Sequence, residues 1–244
     1  MNEIEKFKRE KEENILLQGS NEDLKSTAAA FMNASIMSRY SYNFTWLGLP
    51  IIQYPQDMIA MQELIWDIKP DLIIETGIAR GGSLIFYASI LELIGKGEVL
   101  GIDIDIREHN RKEIENHPMF KRIKMIQGSS IDPAIVAEAK VHTEGKQTIL
   151  VTLDSNHTHE HVLAELKMYS PFVSLNSYMV VYDTIVEKLP QENLPGLRPW
   201  GVGNNPWTAL NAFVKENPQF EIDQSINNKL LISVAPDGYL KRIK

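Results

Sequence analysis

The chain has 244 residues, 43% of them hydrophobic, enough for one sizeable α/β domain and too short for two comfortable ones. A formal net charge of −7 leaves no broad basic footprint, which argues against nucleic acid as a partner. The absence of cysteine excludes a disulfide framework, a cysteine-zinc site and a thiol nucleophile, and no run approaches the roughly 18 apolar residues of a membrane span.

Met1 to Glu13 mixes Lys, Arg and Glu, unlike the apolar centre of a signal peptide, so a cytoplasmic location is expected. Residues 1–45 read as a helical extension before a domain over 46–244. Ile4 and Phe7 sit at helical spacing among charges, and Leu24, Ala28, Phe31 and Ile36 form a second apolar stripe. Such an opening is a solvated face or an arm that packs on a second copy of the chain in a homo-oligomer.

From Asp71 short Ile/Val-rich runs alternate with helix-length segments, the signature of parallel βαβ units. Strands are expected over Leu72–Glu75, Val99–Asp105, Lys124–Gln127, Thr148–Leu153 and Tyr178–Tyr182. Helices are expected over Leu84–Ile94, over Asp132–Ala139 with Asp132 as N-cap and Pro133 at the first position, and over His159–Tyr169. The strands are nearly continuous in apolar residues, so helices should cover both sheet faces. Leu189–Pro206, rich in Pro, Gly and Asn, reads as a long loop or lid. Trp207–Asn217 reads as a helix, and Phe220–Ile226 with Leu230–Val234 as a hairpin turning at Asn227-Asn228-Lys229. The expected fold class is therefore α/β, a Rossmann-like, mostly parallel sheet ending in an antiparallel pair, a pattern that suits the methyltransferase variant of the doubly wound fold.

The first strand leads into Glu75-Thr76-Gly77-Ile78-Ala79-Arg80-Gly81-Gly82-Ser83. Ligands of open α/β sheets lie beyond the carboxyl ends of the strands, and glycines there let backbone N–H groups approach them. Gly77, Arg80, Gly82 and Ser83 are candidate cofactor contacts, although the glycines equally suit a plain tight turn. Gly77-x-Ala79-x-x-Gly82, followed by Asp103, is a near miss to the dinucleotide fingerprint, so an NAD-dependent oxidoreductase is a rival reading. Against it, Glu75 puts at the strand end a carboxylate that repels a pyrophosphate and suits the ammonium and sulfonium groups of S-adenosylmethionine. Asp103 can accept ribose hydroxyls under either reading. Gly128-Ser129-Ser130 follows the third strand, where adenine would be met; a turn explains these residues almost as well.

Asp154 ends the fourth strand in a D-x-x-H pattern with His157, and Asp183 ends the fifth. Adjacent parallel strands end side by side, so the two carboxylates can converge as hard oxygen ligands for Mg²⁺ or a similar ion. The alternative is two unrelated caps. His157, in the loop, could take a proton from a substrate hydroxyl as general base, or be a hydrogen-bonded loop histidine. His159 and His161, two residues apart on a helix, face different ways and are expected at the surface or in helix packing.

These segments resemble the cephalosporin hydroxylase family, which is similar to metal-dependent S-adenosylmethionine methyltransferases acting on rhamnosyl groups and macrolide sugars. The resemblance covers Tyr42 to the C-terminus. It rests on Ile74-Glu75-Thr76-Gly77, Arg80-Gly81-Gly82-Ser83, Gly101-Ile102-Asp103-Ile104-Asp105-Ile106-Arg107, Gln127-Gly128-Ser129-Ser130, Leu153-Asp154-Ser155-Asn156-His157 and Val181-Tyr182-Asp183-Thr184. Arg198-Pro199-Trp200 and Asn204-Asn205-Pro206-Trp207 belong to its late loop. It implies Mg²⁺ on Asp154 and Asp183, His157 as base, and a cofactor held by Glu75, Gly77, Asp103 and Ser130. It also implies methyl transfer to a hydroxyl of a sugar, glycan or small natural product. One position departs: relatives often carry Glu just before the second aspartate, and here stands Tyr182, a poor Mg²⁺ ligand with a pKa of about 10. Thr184 or water would then complete a weaker shell. Trp200 and Trp207 are expected to close over the site or to pack as core. A non-catalytic accessory subunit is the third reading.

Overall fold

The computed structural model describes residues 2–190 and 198–244. Helix α1 (Glu3–Ser20) opens with a reciprocal capping box between Asn2 and Glu5, and α2 (Glu22–Met37) with Asn21 accepting from Leu24 N–H. The inward face of α2 is Ala28, Met32 and Ser35. Leu24 and Phe31 of the expected stripe stay exposed, because the helix is covered along a narrower i, i+4, i+7 line than its apolar residues would allow. A small hairpin follows, β1 (Phe44–Trp46) and β2 (Leu49–Ile51), then α3 (Pro55–Ile68).

The remaining elements run β3 (Leu72–Thr76), α4 (Gly82–Ile94), β4 (Glu98–Asp103), α5 (Glu108–Glu115), β5 (Ile123–Gln127), α6 (Pro133–Thr143), β6 (Ile149–Leu153), α7 (His159–Tyr169), β7 (Tyr178–Val181), α8 (Pro206–Glu216), β8 (Phe220–Ile222), α9 (Gln224–Leu230) and β9 (Tyr239–Arg242). Seven strands form one sheet in the order β5-β4-β3-β6-β7-β9-β8. The first five of these are mutually parallel, and β9 lies antiparallel between β7 and β8. Asp132 caps α6 by accepting from Ala134 N–H, with Pro133 at the first position.

Strand alternation sorts the core into two layers. Ile73, Leu150, Val180 and Tyr182 pack with α3 and α4, while Leu72, Ile74, Val151 and Val181 pack with α7 and α8. The wholly buried Asp57 of α3 ties the C-terminal segment to the first layer. It accepts from Ser233 Oγ at 2.6 Å, Val234 N at 2.9 Å and Tyr239 Oη at 3.1 Å.

The expected hairpin turning at Asn227-Asn228-Lys229 is not formed. Those residues lie inside α9, which Asp223 caps through Ser225 N–H, and Leu230–Val234 is not a strand. The antiparallel pair exists, but its second member is Tyr239–Arg242. Asn and Lys are tolerated in a short capped helix, and packing of Ile226 and Leu230 against the core outweighs the turn preference. Of the late loop, residues 191–197 lie outside the described residues.

Candidate active site

The registry of the parallel strands sets the site. Thr76 is level with Ile102 on one side and Leu153 on the other, and Leu153 is level with Val181. Gly77, Asp103, Asp154 and Asp183 therefore leave the sheet close together. The chain continues from β3 to β4 on one side, and β6 flanks β3 on the other, so this is the point where strand order reverses and a crevice opens.

Gly77 has φ +91°, and a Cβ there would meet the Asp154 carbonyl oxygen at 2.0 Å. The glycine thus allows the β3 and β6 loops to touch. A Cβ on Gly82 would meet the Pro50 carbonyl oxygen at 2.2 Å, so β2 roofs the first turn of α4. Asp103 braces the loop: one carboxylate oxygen accepts from Ile78 N at 2.8 Å and Ala79 N at 3.2 Å, and the other from Asp105 N at 3.0 Å. Arg80 is exposed beside it.

Glu75 is buried, and Ser83 Oγ donates to it at 2.7 Å. Burial pushes its carboxyl up to about 8, against the pull of hydrogen bonds from Ser83 and Tyr87, with the Asp103 charge adding to the rise. Ser129 and Ser130 line a cavity of about 140 Å³ with Gly77, Asp103 and Asn156. A second cavity of about 40 Å³ shares Gly77 and contains Ser83, Arg80 and Asp154.

Asp154, His157 and Asp183 each offer one ligand atom within 4.8 Å of the others. His157 Nε2 lies 3.1 Å from Asp183 Oδ2. The Asp154 carboxyl is raised well above the ordinary range by burial, then by the charges of Asp183 and Glu75. Two carboxylates forced together in this way gain most from a small divalent cation, so the donor set fits one. Asp183 itself holds a left-handed φ of +55°, a conformation uncommon outside glycine that aspartate tolerates.

Thr184 is buried and its hydroxyl donates to the Pro236 carbonyl at 2.6 Å. Tyr182 is buried in the layer of α4, its hydroxyl 3.4 Å from that of Tyr87, which is the face that strand alternation assigns to it. The Trp200 ring stands edge-on to His157 at 5.0 Å between centroids. Trp207 instead donates from Nε1 to Asp237 Oδ2 at 3.1 Å.

His159 packs onto α8, its Nδ1 2.8 Å from Thr208 Oγ1. His161 does not belong with the packing residues: it forms a wall of the 140 Å³ cavity, backed by Ser155 and the wholly buried Glu165. The signal that could have found it is Glu165 four residues on, an acid on the inward line of the helix. Pro50 and Gln53, which line the smaller cavity, carry no comparable signal.

A family model described as rhamnosyl O-methyltransferase/CmcI matches residues 38–243. A rhamnosyl O-methyltransferase of Mycobacterium bovis is 32% identical over 204 residues, covering 81% of this chain and 78% of the relative. One from Mycobacterium leprae is 31% identical over 201 residues, covering 81% and 82%. Among solved structures, a CmcI with magnesium and S-adenosylmethionine superposes with a TM-score of 0.57 at 18% identity, covering 83% of this chain and 78% of that one, a likeness of fold. Helices on a mostly parallel sheet, a glycine loop at the strand reversal and matching sequence along most of the chain agree: this protein belongs to the rhamnosyl O-methyltransferase/CmcI family.

Proposed function

We propose that the chain transfers the methyl group of S-adenosylmethionine to a hydroxyl of a sugar or small natural product, with Asp154 and Asp183 holding Mg²⁺ and His157 as general base. The observation that carries this reading is the convergence of Asp154, His157 and Asp183 at the ends of adjacent strands, beside the glycine loop. Bound at the site, the cofactor would supply an electrophilic methyl group and the ion a Lewis acid for the acceptor oxygen.

The chain's own residues do the rest. Gly77 and Asp103 shape the loop that would hold the cofactor, with Arg80, Gly82, Ser83, Ser129 and Ser130 around it. Glu75 balances the cofactor's positive end. Nε2 of His157 lies 3.1 Å from the Asp183 carboxylate, which only accepts, so that nitrogen carries the neutral ring's hydrogen and the acceptor's proton is taken at Nδ1. Trp200 keeps that ring in place and shields it from water. The hydroxyl of Thr184 is directed to Pro236, so water would complete the ion's shell.

His157→Ala should lower turnover by roughly 10²-fold or more while affinity for S-adenosylhomocysteine stays near wild type. The measurement is release of S-adenosylhomocysteine against a panel of rhamnosides and other deoxysugar glycosides, the acceptor class suggested by the relatives' names. Unchanged turnover would remove His157 from the chemistry.

Homo-oligomerisation through the N-terminal helices and a cytoplasmic location are part of the same proposal. Ile4, Phe7, Leu16 and Leu17 are exposed on α1, which buries no residue of its own. Among the described residues no helix is long and apolar enough to cross a membrane. Leu16→Asp with Leu17→Asp should reduce the mass measured by light scattering to that of a monomer; a wild type already monomeric would end this part of the reading.

A further inference from the structure

A polar cluster on α7 has no part in the acid–base chemistry above. His161 Nε2 lies 3.1 Å from Ser130 Oγ, 3.2 Å from Ser155 Oγ and 3.6 Å from Glu165 Oε1. Ser155 Oγ donates to that same Glu165 oxygen at 2.7 Å. The other oxygen of Glu165, a side chain with no exposure, has no hydrogen-bond partner among the described residues. A buried carboxylate so placed is costly to keep, and its neighbour lines a cavity.

The contacts determine where the imidazole carries its proton. Ser155 has committed its hydrogen to Glu165, and a carboxylate only accepts, so two of the three oxygens around Nε2 present lone pairs to it; a hydrogen on Nε2 satisfies them, and the Ser130 hydroxyl, free to rotate, accepts as well. In the neutral ring Nδ1 is then an open lone pair, and among the described residues it has no partner. This is not a nucleophilic triad. In such a triad the acid holds the ring nitrogen opposite the hydroxyl, whereas here both oxygens gather on Nε2.

We infer that His161, locked by Glu165 and Ser155, determines specificity for the base of the cofactor, accepting on Nδ1 a hydrogen bond from the exocyclic amino group of adenine. This rests on the methyltransferase reading. The cavity, about 140 Å³, is small beside the roughly 300–1,000 Å³ of pockets that hold whole ligands, so it takes one part of the cofactor. Ile102 and Ile104 give it apolar surface for a flat ring. Asp154, which suits the cationic part, lies in the other cavity, with Gly77 between them. A purine with a 6-oxo group would set a carbonyl lone pair against the lone pair of Nδ1. Sites built to bond an N–H discriminate against analogues that lack it.

The test is titration of the full chain with S-adenosylhomocysteine and with its 6-oxo counterpart, S-inosylhomocysteine. Wild type should prefer the adenosyl compound by roughly tenfold or more. His161→Phe, which keeps a ring and removes both nitrogens, should bring the two affinities within about twofold. His161→Leu serves if that variant does not fold, and thermal melting reports folding separately. A merely structural histidine would weaken both ligands together and leave their ratio alone. An unchanged ratio in the variant, or equal affinity in wild type, overturns the assignment of His161. Failure of wild type to bind either compound overturns the methyltransferase reading and this inference with it.

Discussion

Glu75 is a carboxyl that burial pushes up to about 8, so the protein's own surroundings favour its protonated form at neutral pH. A cofactor with ammonium and sulfonium groups favours the ionised form, so binding below that pH expels a proton. Affinity for S-adenosylmethionine should therefore fall as pH drops below about 8 and level off above it. Calorimetry at pH 7 in buffers of different ionisation enthalpy should show proton release that disappears near pH 9; no release at pH 7 would mean that Glu75 does not face the charge. Glu75 and Asp183 were legible as candidates: a lone acid at a strand end is more often a cap or a turn residue, and it was the pairing of Asp183 with Asp154 at neighbouring strand ends, and the place of Glu75 before a glycine loop, that singled them out. The environment of Tyr182 was not: alternation put it on the α4 face, but the facing Tyr87 is visible only in three dimensions.

At the scale of elements, the turn from β3 into α4 is where local sequence and tertiary packing meet. Gly77→Ala would place a methyl group 2.0 Å from the Asp154 carbonyl oxygen and strain a φ of +91°. Gly145→Ala is the comparison, with φ +74° and nothing within 4 Å. The second change should cost about 1 kcal/mol from backbone strain alone. The first should cost at least about 2 kcal/mol more and abolish cofactor binding. Urea unfolding and calorimetry would read both, and equal losses would mean that the loops separate easily. Helix α7 was fully legible, with its apolar positions at helical spacing. The α9 segment was misread because a turn-like tripeptide is compatible with a short helix once Asp223 caps it and Leu230 is buried.

For the molecule as a whole, Asp57 links α3 to the C-terminal strand region. Burial raises its carboxyl from 3.8 to about 6, against hydrogen bonds from Ser233, Val234 and Tyr239 that lower it. The folded protein thus keeps a proton that the unfolded chain releases near pH 4. Its contribution to stability falls as pH rises from about 4 to 6 and is flat above that. Relative to wild type, Asp57→Asn should gain on the order of 2–3 kcal/mol across that window in denaturant unfolding at successive pH values. Parallel pH profiles would show that the carboxyl is ionised throughout.

By itself the sequence determined the alternation of strands and helices, the glycine loop, and which acids end strands. These follow from local periodicity and from the short list of residues able to turn or to ligate. Tertiary structure alone decided that Asp154, His157 and Asp183 come within 4.8 Å of one another, that β9 enters between β7 and β8, and that His161 faces a cavity with a buried acid behind it. Such distances depend on strand order, registry and the packing of side chains far apart in the chain, and pairwise packing leaves no local periodic trace in a single sequence.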